Sequence, residues 1–317
     1  MKGFLKIAGF LGILGGFFLL ERRQPLRSEK ESKTRRNGRN LAVAALGALT
    51  VHFAESPVIY PLARVVERRR WGLLKLLKLP RIAEVIAAVL LLDYTLYLQH
   101  VLHHRVSLLW RFHAVHHVDL DLDASTALRF HFGEIALSIP YRIAQVLSIG
   151  VDPQVLFGWQ TFLLFSILFH HSNMRLPQLV EKRLVHFIVT PRMHGIHHSN
   201  EPQNQNSNWS GGLTLWDILH GTLTLGIPGQ EVEIGVKGFE RPEQVTLPKI
   251  LTQPFTTILQ CMLFSKRPLA VSDSHTRGRQ VLCVNQNCEE FAELKAAAYS
   301  GKRLVRQSLP ASTRMLC

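Results

Sequence analysis

Residues 100–117 read HVLHHRVSLLWRFHAVHH. Within them His100 and His104 stand four apart, and His113, His116 and His117 follow at i, i+3, i+4. Residues three and four apart share one face of a helix, so each set aims its imidazoles at one place. The same H-x-x-H-H spacing returns in HGIHH at 194–198, as His194, His197 and His198. Neutral imidazole is the commonest transition-metal ligand near neutral pH. The two triplets and the pair supply eight imidazoles, and His131 in RFHFGE and His171 in FHHSN would bring the set to ten. That is too many for one ion. It fits two ions with open positions, which catalytic metals keep and structural ones lack.

Each cluster alone has a plainer reading. An i, i+4 histidine pair is usually surface decoration, and a single H-x-x-H-H is ambiguous. The pattern is carried by the two triplets and the pair together. His52, His103, His186, His220 and His275 lie off it and read as structural or solvated. His170 is the off-register neighbour of His171.

The surroundings are those of a membrane protein. The chain has 317 residues, is 47% hydrophobic and carries a formal charge of +14. Long apolar runs alternate with basic polar segments. Because the basic residues flank the apolar runs, they fit anionic headgroups and orientation signals rather than nucleic acid. Residues 3–20 are apolar and would cross about 27 Å as a helix. No A-x-A-like site precedes Glu21, which favours a retained anchor over a cleaved signal. The basic stretch that follows places its loop in the cytosol. Residues 41–63 form a second run, with a kink or break expected at Glu55-Ser56-Pro57. Residues 71–81 (WGLLKLLKLPR) are amphipathic and expected in the interface; the charge of 64–81 conflicts with a simple three-span count.

Residues 83–102 make the third span, with Asp93 turned to the protein interior because a carboxylate is costly in lipid. Two shorter runs, 135–149 and 154–169, are split by Gly150-Val151-Asp152-Pro153 and read as a helical hairpin. It returns His171 to the side of His104. Residues 182–198 read as helical up to Pro191 and again through HGIHH. Residues 200–212 are a polar loop, 213–240 are β-prone, 286–307 read as an exposed helix, and the last ten residues as disordered. Cys261, Cys283, Cys288 and Cys317 lie away from the histidines and read as reduced thiols.

The expected fold class, which the family resemblance given next implies, is all-α: an integral membrane helical bundle with a cytosol-facing, histidine-rich di-metal cage and a short irregular or β-prone C-terminal region. Its segments are an anchor and basic loop (1–40), a second span and interfacial piece (41–82), a catalytic domain (83–240) and a cytosolic tail (241–317).

As a set, D-x6-H-x3-H, LWRFHAVHH, TALRFHFGE, FHHSN, TPRMHGIHHS and LWDILHGT resemble the fatty acid hydroxylase/sterol desaturase superfamily over about residues 85–225. The resemblance implies a membrane-bound non-haem di-iron oxygenase with a helical core and a cytosol-facing cage. It would hydroxylate or desaturate a lipid C–H bond with O2 and two external electrons. By motif, His100 and His104 match the first box, His113, His116 and His117 the second, and His194, His197 and His198 the third. His131 and His171 match the intervening single histidines. His103 is an extra histidine in the first box, and His220 replaces an aromatic.

Asp93, Asp123, Glu134 and Asp217 are candidates to accept the free N–H of a ligating histidine, and Asn173 and Asn208 to hold water near a metal. The chain carries no Gly-rich dinucleotide fingerprint and no haem domain, so electrons are expected from a ferredoxin- or cytochrome-type partner and its reductase. With no ER-retention signal, a bacterial inner membrane is favoured, or the ER membrane if eukaryotic. The rival reading is a histidine-rich membrane metal transporter or metal-binding protein. A transporter needs ligands near mid-membrane in several spans, whereas these cluster at span ends. A Zn hydrolase would show H-E-x-x-H, which is absent.

Overall fold

The computed structural model describes residues 2–256. α1 spans Lys2–Arg23, and after a basic loop α2 spans Lys33–Thr50. A π turn, Val51–Glu55, joins α2 to α3, Ser56–Arg69. The expected break at Glu55-Ser56-Pro57 is thus a change of pitch inside a continuing helix. Side-chain spacing gives the reason. Gly47, Val51, Glu55, Ile59 and Ala63 face the core or the cavity described below and stand four apart. Each step of four overshoots a 3.6-residue turn by about 40°, and a wider π turn takes up the excess. Pro57, with no N–H to donate, sits where the pitch changes.

Of the amphipathic stretch 71–81, only α4, Leu73–Leu76, is helical before the next helix begins at Arg81. Gly72 precedes it with φ +95°, against Gly150 of the hairpin turn; a Cβ there would lie 2.3 Å from Gly150 N. α5, Arg81–Arg105, and α6, Ser107–His117, meet at the extended residue Val106. α7, Phe132–Ile149, and α8, Pro153–His171, form the expected hairpin. Its turn is built as the sequence specifies. Gly150 is left-handed, the Asp152 carboxylate accepts from Gln154 N and Val155 N, and Pro153 takes the first turn.

Beyond the hairpin the helices are short: α9, Gln178–Leu184; α10, Pro191–His197; α11, Pro202–Gln205; α12, Leu215–Leu219; α13, Leu247–Thr252. The helix expected up to Pro191 therefore ends at Leu184, and an irregular stretch leads to α10. The β-prone region 213–240 holds no strand; among the described residues pairing is limited to isolated bridges, such as Ile188 with Leu213 and Ser199 with Ile234. Two long apolar residues rarely make a ladder without a neighbouring strand to pair with. Residues 286–307 and the last ten lie outside the described residues.

The main core is packed from α3, α5, α7 and α8, around Ile59, Val66, Leu92, Val146, Leu156 and Trp159. Two stretches, 33–76 and 81–105, are long and apolar enough to cross a membrane. Asp93 is buried in α5 as expected, accepting from Leu213 N (3.0 Å) and Trp216 Nε1 (2.7 Å).

A second cluster is ionic. The loop after α6 carries Asp119, Asp121 and Asp123, all buried. Arg36 of α2 reaches Asp119 at 3.1 Å and Asp121 at 3.7 Å, and also pairs with Asp123. Arg129 and Arg39 approach Asp119 at 3.1 and 3.4 Å. The N–H groups of Lys30 and Glu31 donate to the Asp121 carboxylate at 2.8 and 3.0 Å. Burial opposes ionisation of Asp119, but the three guanidinium groups outweigh it and hold its carboxyl down to about 2. Part of the basic stretch at 22–39 thus turns inward and fixes the loop directly behind the second histidine box.

Candidate metal centre

The end of α5, the length of α6, the end of α8 and α10 converge. His100 and His104 come from α5, His113, His116 and His117 from α6, His171 from α8, and His194 and His197 from α10, with His198 as its cap. α10 exists locally because Thr190 caps it, accepting from Met193 N, with Pro191 in the first turn. Seven helical residues suffice to set His194, His197 and His198 on one side.

The imidazoles form two groups, each compact enough to hold an ion. His100, His104, His113, His117 and His197 make one; His116, His171, His194 and His198 make the other; within each, one ligand atom per residue lies within 4.8 Å of all the rest. The groups adjoin, with the His117 and His198 rings 4.3 Å apart.

Nitrogen spacing supports a metal. His100 Nε2 and His117 Nε2 each lie 3.2 Å from His113 Nε2. His171 Nε2 lies 3.0 Å from His116 Nε2 and 3.1 Å from His194 Nε2, which is 3.1 Å from His198 Nε2. Two nitrogens about 2.1 Å from one ion, at a right angle, stand about 3.0 Å apart.

The outer nitrogens orient the rings. The Nδ1 atoms of His100, His171 and His197 donate to the carbonyls of Trp209, Ile167 and Ser207 at 2.7, 2.9 and 2.8 Å. A carbonyl only accepts, so in these rings the proton sits on Nδ1 and the Nε2 lone pair points inward. His113 Nδ1 likewise donates to Glu134 Oε1 at 2.8 Å. Its Nε2 then faces that of His100 with no proton between them, an arrangement a cation relieves. His197 Nε2 is buried without a hydrogen-bond partner. Burial holds His113 down to about 3, and holds His116, His117, His194, His197 and His198 well below the ordinary imidazole value, the neighbouring rings adding to the effect. Burial thus favours the neutral, ligand-competent form of these imidazoles. Burial lifts Glu134 to about 7, against the pull of His103.

Of the ten expected histidines, nine lie in the two groups. His131 lies in neither. It caps α7, where its Nδ1 accepts from Gly133 N at 2.9 Å while Nε2 donates to Leu251 O at 3.2 Å. Both nitrogens face backbone groups, so His131 stands apart from the two groups, as the cap of α7. Two histidines set aside in the sequence do lie at the site. His103 Nδ1 is 3.4 Å from Glu134 Oε1, and the His170 ring packs 4.1 Å from His194. Only their adjacency to His104 and His171 could have signalled this.

Of the expected outer carboxylates, Glu134 bonds a caged histidine. Asp217 acts at one remove: it accepts from Trp209 N and Ser210 N, both at 3.0 Å, and so sets the Trp209 carbonyl that takes His100. Asp93 and Asp123 hold loops, as described above. Asn173 and Asn208 hold backbone rather than water: Asn173 exchanges two bonds with Arg27, and Asn208 bonds Met193 O and Thr224.

A cavity of about 450 Å³ opens onto both groups, touching His100, His113, His116, His171 and His194, with aliphatic side chains such as Leu96, Leu163 and Ile167 giving part of its wall. The helical scaffold thus sets two adjoining imidazole groups, each compact enough to hold a metal ion, beside one cavity. Residues 85–222 match the fatty acid hydroxylase family. Among curated proteins it is similar to the ornithine lipid hydroxylase OlsE of Rhizobium tropici, 29% identical over 50% of this chain and 47% of that protein. The alkylglycerol monooxygenase of Homo sapiens is 29% identical over 43% of this chain and 30% of its own length. The cholesterol 25-hydroxylase of Mus musculus is 27% identical over 55% of this chain and 54% of its own. The match thus spans about half or less of each relative. No solved structure matches the chain.

Proposed function

We propose that this chain is a membrane-bound lipid hydroxylase of the non-haem di-iron type. The observation that carries the reading is that both imidazole groups open into one cavity whose wall is partly aliphatic. His100, His104, His113, His117 and His197 would hold one iron, and His116, His171, His194 and His198 the other. An all-nitrogen donor set suits iron, zinc and copper alike; the relatives' names, two hydroxylases and a monooxygenase, call for a redox-active metal, which zinc is not, and iron is the one the family resemblance implies. When bound, the metal pair supplies O2 activation and C–H oxidation, which no side chain here can perform.

The chain's own residues do the rest. Trp209, Ile167 and Ser207 carbonyls and Glu134 fix the ring tautomers, and Asp217 fixes the loop that carries Trp209. Leu96, Leu163, Leu164 and Ile167 admit an apolar chain and keep water from it. Two electrons per turnover come from an external ferredoxin- or cytochrome-type donor with its reductase. The protein is read as multi-pass, with the cage on the cytosolic face.

Lipid mass spectrometry of cells with and without this chain tests the reading. A lipid that gains one oxygen atom only when the chain is present supports hydroxylation, and loss of two hydrogens supports desaturation. Identical lipid profiles, with purified metal-loaded protein inert toward the membrane lipids in the presence of reductant, would sink it.

A further inference from the structure

The cavity does not stay apolar along its length. Glu134, Ser138 and Arg142 lie four apart on α7, and all three line it. Glu134 adjoins the cage through His113; Arg142, eight residues on, lies about 12 Å further along the helix axis. There the π turn delivers Glu55, α3 delivers Tyr60 and α8 delivers Gln160 to the same cavity. Arg142 Nε is 3.4 Å from Glu55 Oε1, and the Tyr60 hydroxyl donates to Gln160 Oε1 at 2.7 Å.

The ion pair is half used. Arg142 Nε approaches one Glu55 oxygen without a hydrogen bond and has no other hydrogen-bond partner among the described residues. The Arg142 and Glu55 side chains are 22% and 8% exposed. Glu55 is thus buried and Arg142 half-buried, and both face the cavity, where an incoming polar group can reach them. Because the pair sums to zero charge, an incoming anion meets Glu55 as well as Arg142, and an incoming cation meets both in reverse. A hydroxyl can donate to Glu55 and accept from Arg142, and a zwitterion can satisfy the two with its two charges.

We propose that Glu55 and Arg142 are specificity-determining residues: they receive the polar group of an amphiphilic substrate that carries no net charge, a hydroxyl or a zwitterion. They thereby set the attacked carbon about 12 Å from that group, eight residues of α7 away. As a statement about substrate this rests on the hydroxylase reading; as a statement about binding it does not.

The test is therefore binding to the full chain without metal, in detergent, by native mass spectrometry. The probes are four single-chain amphiphiles of equal chain length, headed by an alcohol, a phosphocholine, a carboxylate and a primary amine. The wild type should prefer the alcohol or the phosphocholine over both charged probes by about tenfold, and which of the two wins identifies the headgroup. Glu55→Gln should move the preference toward the carboxylate, and Arg142→Gln toward the amine, each by about tenfold. If either single variant melts early, Glu55→Gln/Arg142→Gln together leaves no unpaired charge and must bind the probe that the wild type prefers about tenfold more weakly. Preferences unmoved by all three variants overturn the proposal. Shifted preferences in a protein that never oxidises a lipid would sink the hydroxylase reading instead and leave the pair's role standing.

Discussion

Replacing Arg36 by methionine should unseat the loop behind the second histidine box. Arg36 is about as large as methionine along its stem, so the substitution removes charge with little loss of volume. It takes the nearest cation from Asp121 and Asp123, leaving Lys33 at 3.8 Å from Asp123, while Asp119 keeps Arg129 and Arg39. Arg36 and Asp119 side chains are each 1% exposed. Removing one partner of a buried pair costs about 3–5 kcal/mol, because the other charge is left stranded. For a unit of this size that lowers the melting midpoint by about 6 to 9 °C.

The sign of the pH dependence is fixed by the carboxylates. Asp119, held down to about 2, contributes stability that is present above the ordinary carboxylate value and lost as pH falls toward 2. Asp121 is already raised, because burial outweighs the bonds from Lys30 and Glu31 and the charge of Arg36. Without Arg36 it rises further. Its penalty is then full at high pH and relieved as pH falls through the raised value, so the variant's deficit is larger at pH 8 than at pH 5. Thermal unfolding in detergent at both pH values measures this. A midpoint at pH 8 within about 2 °C of wild type, well under the shift expected here, would refute the view that the loop is held by this buried cation.

Three further outcomes follow from the cage. His116→Ala and His197→Ala each remove a ligand from a different group, so metal analysis should show one ion lost from each variant while both still insert in the membrane. Glu134→Ala removes the acceptor of His113 Nδ1–H and should weaken metal binding about 10- to 100-fold, read by competition with a chelator. His131→Ala should keep the full metal content and lose about 1 kcal/mol of stability as a missing cap, with His131→Asn restoring it; loss of metal in both would return His131 to the ligand set.

The cage was legible because helical spacing carries direction: H-x-x-H-H on α6 and on α10 could face only one way each. The hairpin turn was legible in Gly150, Asp152 and Pro153 for the same local reason. His131 shows where this stops. Residue type made it a candidate ligand, but its place just ahead of α7 turned its ring to the backbone N–H of Gly133. His103 fails in the opposite direction: a same-face argument discards it, and Glu134, thirty-one residues later, draws it in. The ionic clamp was hidden because Arg36 and Asp119 are 83 residues apart, and basic residues after an apolar run read first as orientation signals. The region after α12 was misread as β-prone because branched residues favour strands only where a partner strand exists.

The π turn at 51–55 lets one continuous rod serve two masters. Below it, α2 offers Arg36, Arg39 and Asn40 to the acidic loop; above it, α3 offers Ile59, Ala63 and Val66 to the bundle. Excising one residue from the turn would spin the lower half by about 100° relative to the upper, swinging the arginines off their carboxylates while the bundle stayed packed. Single-residue length changes there, rather than substitutions, are the sharpest way to uncouple the acidic loop from the bundle.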